Sequence, residues 1–439
     1  MTRKLNVYLY GEKVGVLSED QLGHLLFQYA PEAKHRISVR MPVCAEQYDQ
    51  FYAEPFFDNL TPEGDPLKII ASHYHVSEDN AFSILDKIGG DCAGAVSLYE
   101  GEIPEEPDSM PPEIDDGSLA KIIDELHENP LLTGIDNAPR LSLAGAQSKF
   151  AVIKAENGRY YSSNNRFPTT HIIKTTNVRF PNLLENELFC MKLARLTLGG
   201  NVKPGTILVE MKQTLGRKYL EIERYDRHRV IDSQEFIRHG DDINDMYLQT
   251  RFHIERKHQE DFCQVLGYLA KRKYQSDGGP KIRDLHNAVL EYSSQKATDS
   301  YKFIELLTFN YLIGNTDAHA KNFSLLHING EGRIILAPAY DVLSTEVYPD
   351  KSVSHKIAMI VNGKEKYDKV AKKDWLALYG QLGLNPTNTL QEMKRNYRNI
   401  VSVAESLRDE LNQDEITRCD VYDKIIEKIK ERYKVLFDV

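Results

Sequence analysis

The sequence predicts an α+β protein with two lobes and an extra β-rich subdomain in front of them. Three observations carry this. In short runs up to Tyr225, apolar and polar residues alternate at period two, the pattern of half-buried strands. From residue 259 onward apolar residues recur at helical spacing instead. Between Ile103 and Asp116 the chain is acidic and rich in proline, the composition of a solvated linker. The predicted division is a β-rich subdomain over 1–104, a linker over 105–116, a strand-rich lobe over 117–227 and a helical lobe over 228–439.

Residues 5–16 alternate on both sides of Gly11-Glu12-Lys13 and read as a hairpin. Strands are expected at 27–32 and 37–41, and a helix at 81–87. Residues 56–64 mix aromatics with turn formers, and 91–98 turn into a strand. A short amphipathic helix covers 119–126. A loop of small residues over 140–149 then feeds a strand at 150–154. Residues 169–174 are β-branched and extended, and 181–196 form an amphipathic helix stopped by Gly199-Gly200. Strands at 205–213 and 219–225 pair. Residues 228–256 are charged and irregular, read as a mobile loop or insertion. Helices follow at 259–272, 281–293, 300–313, 373–382, 389–411 and 420–436, with a turn at 273–280. Segments 323–328 and 333–336 make a hairpin around Asn329-Gly330.

The chain has 439 residues, 41 % of them hydrophobic, which suits two to three domains with real cores. Its net charge, 55 − 65 = −10, argues against nucleic-acid binding by bulk charge. The five cysteines are scattered, without a CxxC pair or a Cys/His cluster, so neither a disulfide framework nor a zinc site is indicated. Reduced thiols and the lack of a long apolar run lead to the expectation of a cytoplasmic protein without membrane contact.

The chemistry concentrates in Asn315-Thr316-Asp317-Ala318-His319-Ala320-Lys321-Asn322, which follows an apolar helix. In phosphoryl transfer an Asp accepts the proton of the attacking hydroxyl, and an Asn five positions later holds a metal ion. Asp317 and Asn322 stand at that separation, and Lys321 between them would offset charge on the transferred group. Asp341, after the following hairpin and next to Tyr340, is placed as a second metal ligand, so Asn322 and Asp341 would hold Mg2+. The loop residues Ala144, Gly145, Ala146, Gln147, Ser148 and Lys149 could cover phosphates, and Lys174 ends a strand as an ATP lysine does. Glu187 on the next helix could pair with Lys174. Glu223, Arg224 and Tyr225 sit where strands give way to helices, where backbone groups would hold an adenine. Taken singly, each piece also reads blandly, as a helix cap, a β-turn, a surface lysine or a turn aspartate. The order Asp-x-His-x-x-Asn is similar to the catalytic loop of lipid-kinase-like enzymes.

Together, Arg-x-Ser-x-Ala-Gly-Ala-Gln-x-Lys (140–149), Thr-Thr-His-Ile-Ile-Lys (169–174), Asp-x-His-Ala-Lys-Asn-Phe-Ser (317–324) and Pro-x-Tyr-Asp (338–341) resemble the HipA family of bacterial toxin kinases. Tyr-Gln-Ser-Asp-Gly-Gly-Pro (274–280) and Phe-Phe-Asp-Asn-Leu (56–60) fit as well, so the resemblance spans nearly the whole chain. It implies a two-lobed protein-kinase-like fold and a serine/threonine protein kinase that uses Mg-ATP. It also implies autophosphorylation at Ser142 as an off switch, glutamyl-tRNA synthetase as typical target, and growth arrest. The implied partner is a helix-turn-helix, HipB-like antitoxin, in a heterotetramer that reaches operator DNA mainly through the antitoxin. Two departures stand out: Ser148 replaces an expected acidic residue, and the stretch after Arg227 is longer than usual. A small-molecule or lipid kinase, and an inactive corepressor, are the alternatives; the intact set Lys174, Asp317, Asn322 and Asp341 speaks against the latter.

Overall fold

The computed structural model describes residues 3–103, 111–126, 141–142, 147–163, 167–176, 180–198, 207–238, 246–328, 332–349 and 354–437. The first hairpin forms as its alternation predicts: Arg3–Leu9 pairs antiparallel with Glu12–Glu19. Leu25–Tyr29 and Val96–Tyr99 flank it in a four-stranded sheet. The inward residues Leu5, Val7, Leu17 and Phe27 are buried against Phe56 and Phe57.

Those two aromatics lie on a helix, Gln50–Asp58, rather than in the turn expected over 56–64. Asp49 caps it by accepting from the Phe51 N–H, which lets a helix start in a stretch with weak propensity and Pro55 inside it. Gly64–His73 is a second helix that the sequence reading missed. The strand expected at 37–41 is reduced to a Ser38–Met41 bridge.

A six-stranded sheet forms the next lobe, in the order Val209–Thr214, Arg217–Glu223, His171–Thr175, Lys149–Lys154, Tyr160–Tyr161, Glu113–Ile114. One face carries the helix Leu183–Thr197, whose Leu184, Leu188, Phe189 and Leu193 are buried. Fourteen positions separate Val209 from Glu223, so these residues return to the same edge through the tight turn at Leu215-Gly216.

The segment after Arg227 corrects the sequence reading. Its described residues are not irregular: Arg227–Arg238 and Met246–Arg256 pair antiparallel over most of their length. Backbone hydrogen bonding organises a two-stranded ribbon, and composition does not report it. A further strand, His258–Asp261, joins Ser324–Ile328 and Arg333–Leu336 in a three-stranded sheet. The helix expected at 259–272 is therefore only Phe262–Leu266, capped by Asp261 and ended by Gly267 at φ +79°. The last lobe is thus helical around a small sheet. Its axis is Lys296–Ile313, buried on nearly every face, against Ile282–Tyr292, Lys372–Gln381 and Val421–Phe437. The helix expected over 389–411 is two, Pro386–Asn396 and Ile400–Leu411. Among the described residues, no helix is long and apolar enough to cross a membrane.

Candidate active site

A cavity of about 670 Å³ opens between the six-stranded sheet and the helical lobe. Ile172, Met191, Ile207 and Ile222 give it an apolar wall, and charged side chains gather opposite. That combination suits a ligand with a flat apolar part and a polyanionic part.

Lys174 faces the cavity from the strand His171–Thr175. It is buried, and its Nζ donates to Glu187 at 2.6 Å and to Asp341 at 2.7 Å. Burial alone would strip its proton, but the Asp341 and Glu187 carboxylates outweigh burial and hold the ammonium form. Its neighbour across the strand pair is Lys149. Two lysines in register repel one another. Burial, and then the Lys174 charge, push Lys149 down to about 8. Such a pair is built to receive an anion.

Asp341 stands in the left-handed region at φ +55°, a conformation that costs a residue with a β-carbon and that its surroundings must hold. The Lys174 ammonium holds its carboxyl well below the usual range, so it is ionised and presents oxygen ligands. Tyr340, one residue before it, donates to the Lys321 carbonyl at 2.7 Å and stacks on Tyr225 with ring centroids 5.4 Å apart.

The octet after the central helix turns sharply because Gly314 is at φ +73° and ends the helix. Asp317 and Asn322 both line the cavity. The Asn322 side-chain amide donates to the Asp317 carbonyl oxygen at 3.0 Å, which closes the loop and leaves its oxygen to act as acceptor. The Asp317 carboxylate accepts from the Tyr274 hydroxyl at 2.6 Å. His319 is buried edge-on to the Tyr274 ring, and burial lowers it to about 4, so it is neutral. Ala320 is buried in a single helical turn and has no side chain to offer a ligand. Lys321 is held by Glu63 at 2.8 Å and by the Asn59 carbonyl at 3.3 Å.

The chain between the lobes runs through Glu223, Arg224 and Tyr225, all on the cavity wall. The Glu223 N–H donates to Leu208 and the Arg224 N–H to Thr170. The Arg224 guanidinium turns away into a buried network with Asp226, Thr169 and the Cys92 carbonyl. Of the small-residue loop, Ala144, Gly145 and Ala146 lie outside the described residues, while Gln147, Ser148 and Lys149 are placed at or beside the cavity. Ser142 is fully buried: its strand pairs with Asp91–Cys92, and its hydroxyl donates to the Leu60 carbonyl at 2.5 Å.

Sequence reasoning missed three cavity residues. Glu63 is bound by both Lys321 and Lys273, at 2.8 and 2.6 Å. Tyr274 caps Asp317. Asp261 lines the floor, and burial pushes its carboxyl up to about 6. The stretches 56–64 and 274–280 that contain the first two were singled out in the sequence, but their partners lie far along the chain.

Comparison with known families decides the lineage. The model of the HipA-like C-terminal domain matches residues 141–406, and that of the HipA N-terminal domain matches residues 5–99. The chain belongs to the HipA family. Among its HipA relatives, the kinase-named protein Y4mE of Sinorhizobium fredii is 36 % identical over 92 % of this chain and 91 % of its own length. The serine/threonine-protein kinase toxin HipA of Shewanella oneidensis is 26 % identical over 86 % of this chain and 85 % of its own. A solved structure of the Shewanella oneidensis HipA, HipB and operator DNA complex covers 99 % of this chain and 97 % of its own at a TM-score of 0.80 and 21 % identity. The kinase-like α+β fold expected from the sequence is thereby established.

Proposed function

We propose that this HipA-family chain is a serine/threonine protein kinase that uses Mg-ATP. The observation that supports it most is the meeting of Lys174, Glu187, Asp341, Asp317 and Asn322, drawn from four separate stretches, in one cavity. The donor set fits such an ion: a carboxylate and an amide oxygen are the hard ligands Mg2+ prefers, and Mg2+ would offset phosphate charge there. Asn322 and Asp341 would hold it. Lys174 would release Asp341 and take the α/β-phosphates, with Lys149 and the loop 144–148 beside it. The adenine would lie against the apolar wall near Glu223 and Tyr225. Asp317 would orient the substrate hydroxyl and take its proton. Lys321 reaches a phosphoryl group only if it leaves Glu63; while paired, it fixes the loop.

The finer reading follows the family. The target would be a translation protein such as glutamyl-tRNA synthetase, and its modification would arrest growth. A HipB-like helix-turn-helix antitoxin would bind the chain and bring it to operator DNA. Ser142 would be autophosphorylated. Its burial under Leu60 means that the Asp91–Cys92 pairing must open first, and a phosphate of nearly two charges would then prevent its return.

The test is mass spectrometry of the protein after incubation with Mg-ATP, beside Asp317→Gln. One phosphate on Ser142, absent from the variant, is expected. Equal phosphate on both proteins would remove Asp317 from its role. Nucleotide binding without any protein phosphate would favour a small-molecule substrate.

A further inference from the structure

We propose that His258, Glu260 and His327 form a site for one Zn2+-class divalent ion, seated where the N-terminal subdomain meets the helical lobe. The site is separate from the kinase cavity and does not depend on the reading of that cavity.

Strand geometry brings the three together. His258 and Glu260 are two apart on one strand and so share a face. His327 is the direct cross-strand partner of His258. The two imidazole rings are 4.9 Å apart, and the His327 Nε2 lies 2.8 Å from a Glu260 carboxylate oxygen. One donor atom from each of the three lies within 4.8 Å of the others. Bonds from zinc to nitrogen or oxygen are about 2.0–2.2 Å, so a contraction of about 1 Å by side-chain rotation would let one ion bridge all three.

The surroundings hold the ligands as a metal site requires. His258 Nε2 contacts the Ile37 carbonyl oxygen at 2.7 Å. An N–H donated there leaves Nδ1 with its lone pair, and Nδ1 is buried without a hydrogen-bond partner. A ligating imidazole commonly gives its other N–H to a backbone carbonyl in this way. Gly94 packs beside this strand: a Cβ there would lie 2.8 Å from the Gln259 backbone nitrogen and 3.0 Å from Nδ1, so only a glycine leaves Nδ1 unobstructed by a side chain. Glu260 is fully buried and accepts the Val39 N–H at 3.0 Å. Two imidazoles and one carboxylate are the borderline donor set that selects Zn2+ and its first-row neighbours over Mg2+. Because Ile37 and Val39 belong to the N-terminal subdomain and the ligands to the other lobe, the ion would stiffen the join between them.

The test uses the full chain, stripped with a chelator and titrated with Zn2+ alone by calorimetry, with Co2+ as a spectroscopic probe. One ion per chain is expected, together with Co2+ absorption bands of a nitrogen/oxygen site and a raised melting temperature. His327→Gln, at the solvent edge of the trio, should weaken binding by about tenfold or more. Asp341→Asn, which removes the kinase cavity's own carboxylate ligand, should leave it unchanged. Absence of saturable binding, or binding lost in Asp341→Asn and kept in His327→Gln, overturns the proposal. Should His327→Gln fail to fold, the Co2+ spectrum of the unmodified chain decides, and its absence overturns the site.

Discussion

Lys149 and Tyr274 are the residues whose chemistry the site makes most specific. Lys149 sits in register with Lys174, and burial with that neighbouring charge lowers it to about 8. It is therefore charged at pH 7 and neutral at pH 9. It faces Lys174, Asp341 and Glu63, which keep their charge across that interval, and Glu187, whose carboxyl burial raises. Nucleotide affinity should fall as pH rises from 7 to 9, and Lys149→Met should bind more weakly but lose that slope; calorimetric titration with ATP at both pH values checks it. Tyr274 donates to Asp317 at 2.6 Å, and a hydrogen bond to a charged group is worth about 1.5–3 kcal/mol. Tyr274→Phe frees the carboxylate to turn. Steady-state kinetics should show kcat about tenfold lower or more with KM for ATP unchanged, and an unaltered kcat would remove Tyr274 from the machinery. That Lys174, Asp317, Asn322 and Asp341 come together in one cavity was legible because the phosphoryl-transfer pattern they match sets their order and, for two of them, their spacing. Tyr274 was not, since nothing local shows that residue 274 meets residue 317.

At the scale of elements, the hairpin read from alternation and the strand read from a β-branched run at 169–174 were found close to where expected, as Arg3–Leu9 with Glu12–Glu19 and as His171–Thr175. Elements held by backbone pairing or by a cap were not. The ribbon Arg227–Arg238 with Met246–Arg256 has a composition that looks like loop, and Gln50–Asp58 carries a proline and aromatics that look like turn. The turn that presents Tyr274 is decided by one glycine. A Cβ at Gly279 would lie 2.0 Å from the Arg272 carbonyl oxygen and 2.6 Å from that of Tyr274. Those atoms are backbone and cannot swing away. Gly279→Ala should cost about 1–3 kcal/mol of stability, the range for forced overpacking. It should also lower kcat in the manner of Tyr274→Phe. Urea denaturation beside kinase assays tests both, and a variant of full stability would mean that the turn has room.

For the whole molecule, the join between the N-terminal subdomain and the catalytic loop is what the sequence concealed most fully. Asn59, Leu60 and Glu63 reach across to Lys321, Ser142 and Lys273, partners up to 262 positions away. Catalytic-loop order and Ser142 burial therefore depend on one corner of a separate subdomain. Glu63 is the charged centre of that corner. Burial would raise its carboxyl, but the Lys321 and Lys273 ammoniums outweigh burial and lower it to about 2, against 4.5 unperturbed. A carboxyl whose folded value is depressed stabilises the fold above its unfolded value, and that stability disappears as pH falls toward the folded one. The contribution should be complete at pH 7, begin to fall near pH 4.5 and be nearly gone by pH 2. Glu63→Ala leaves two poorly exposed ammoniums without their carboxylate, a loss of about 3–5 kcal/mol at neutral pH. The gap in urea-unfolding free energy between the parent and the variant should shrink from pH 7 to pH 3. A gap that stays constant with pH would mean that Glu63 acts through packing, and the subdomain would then not be clamped to the catalytic loop by charge.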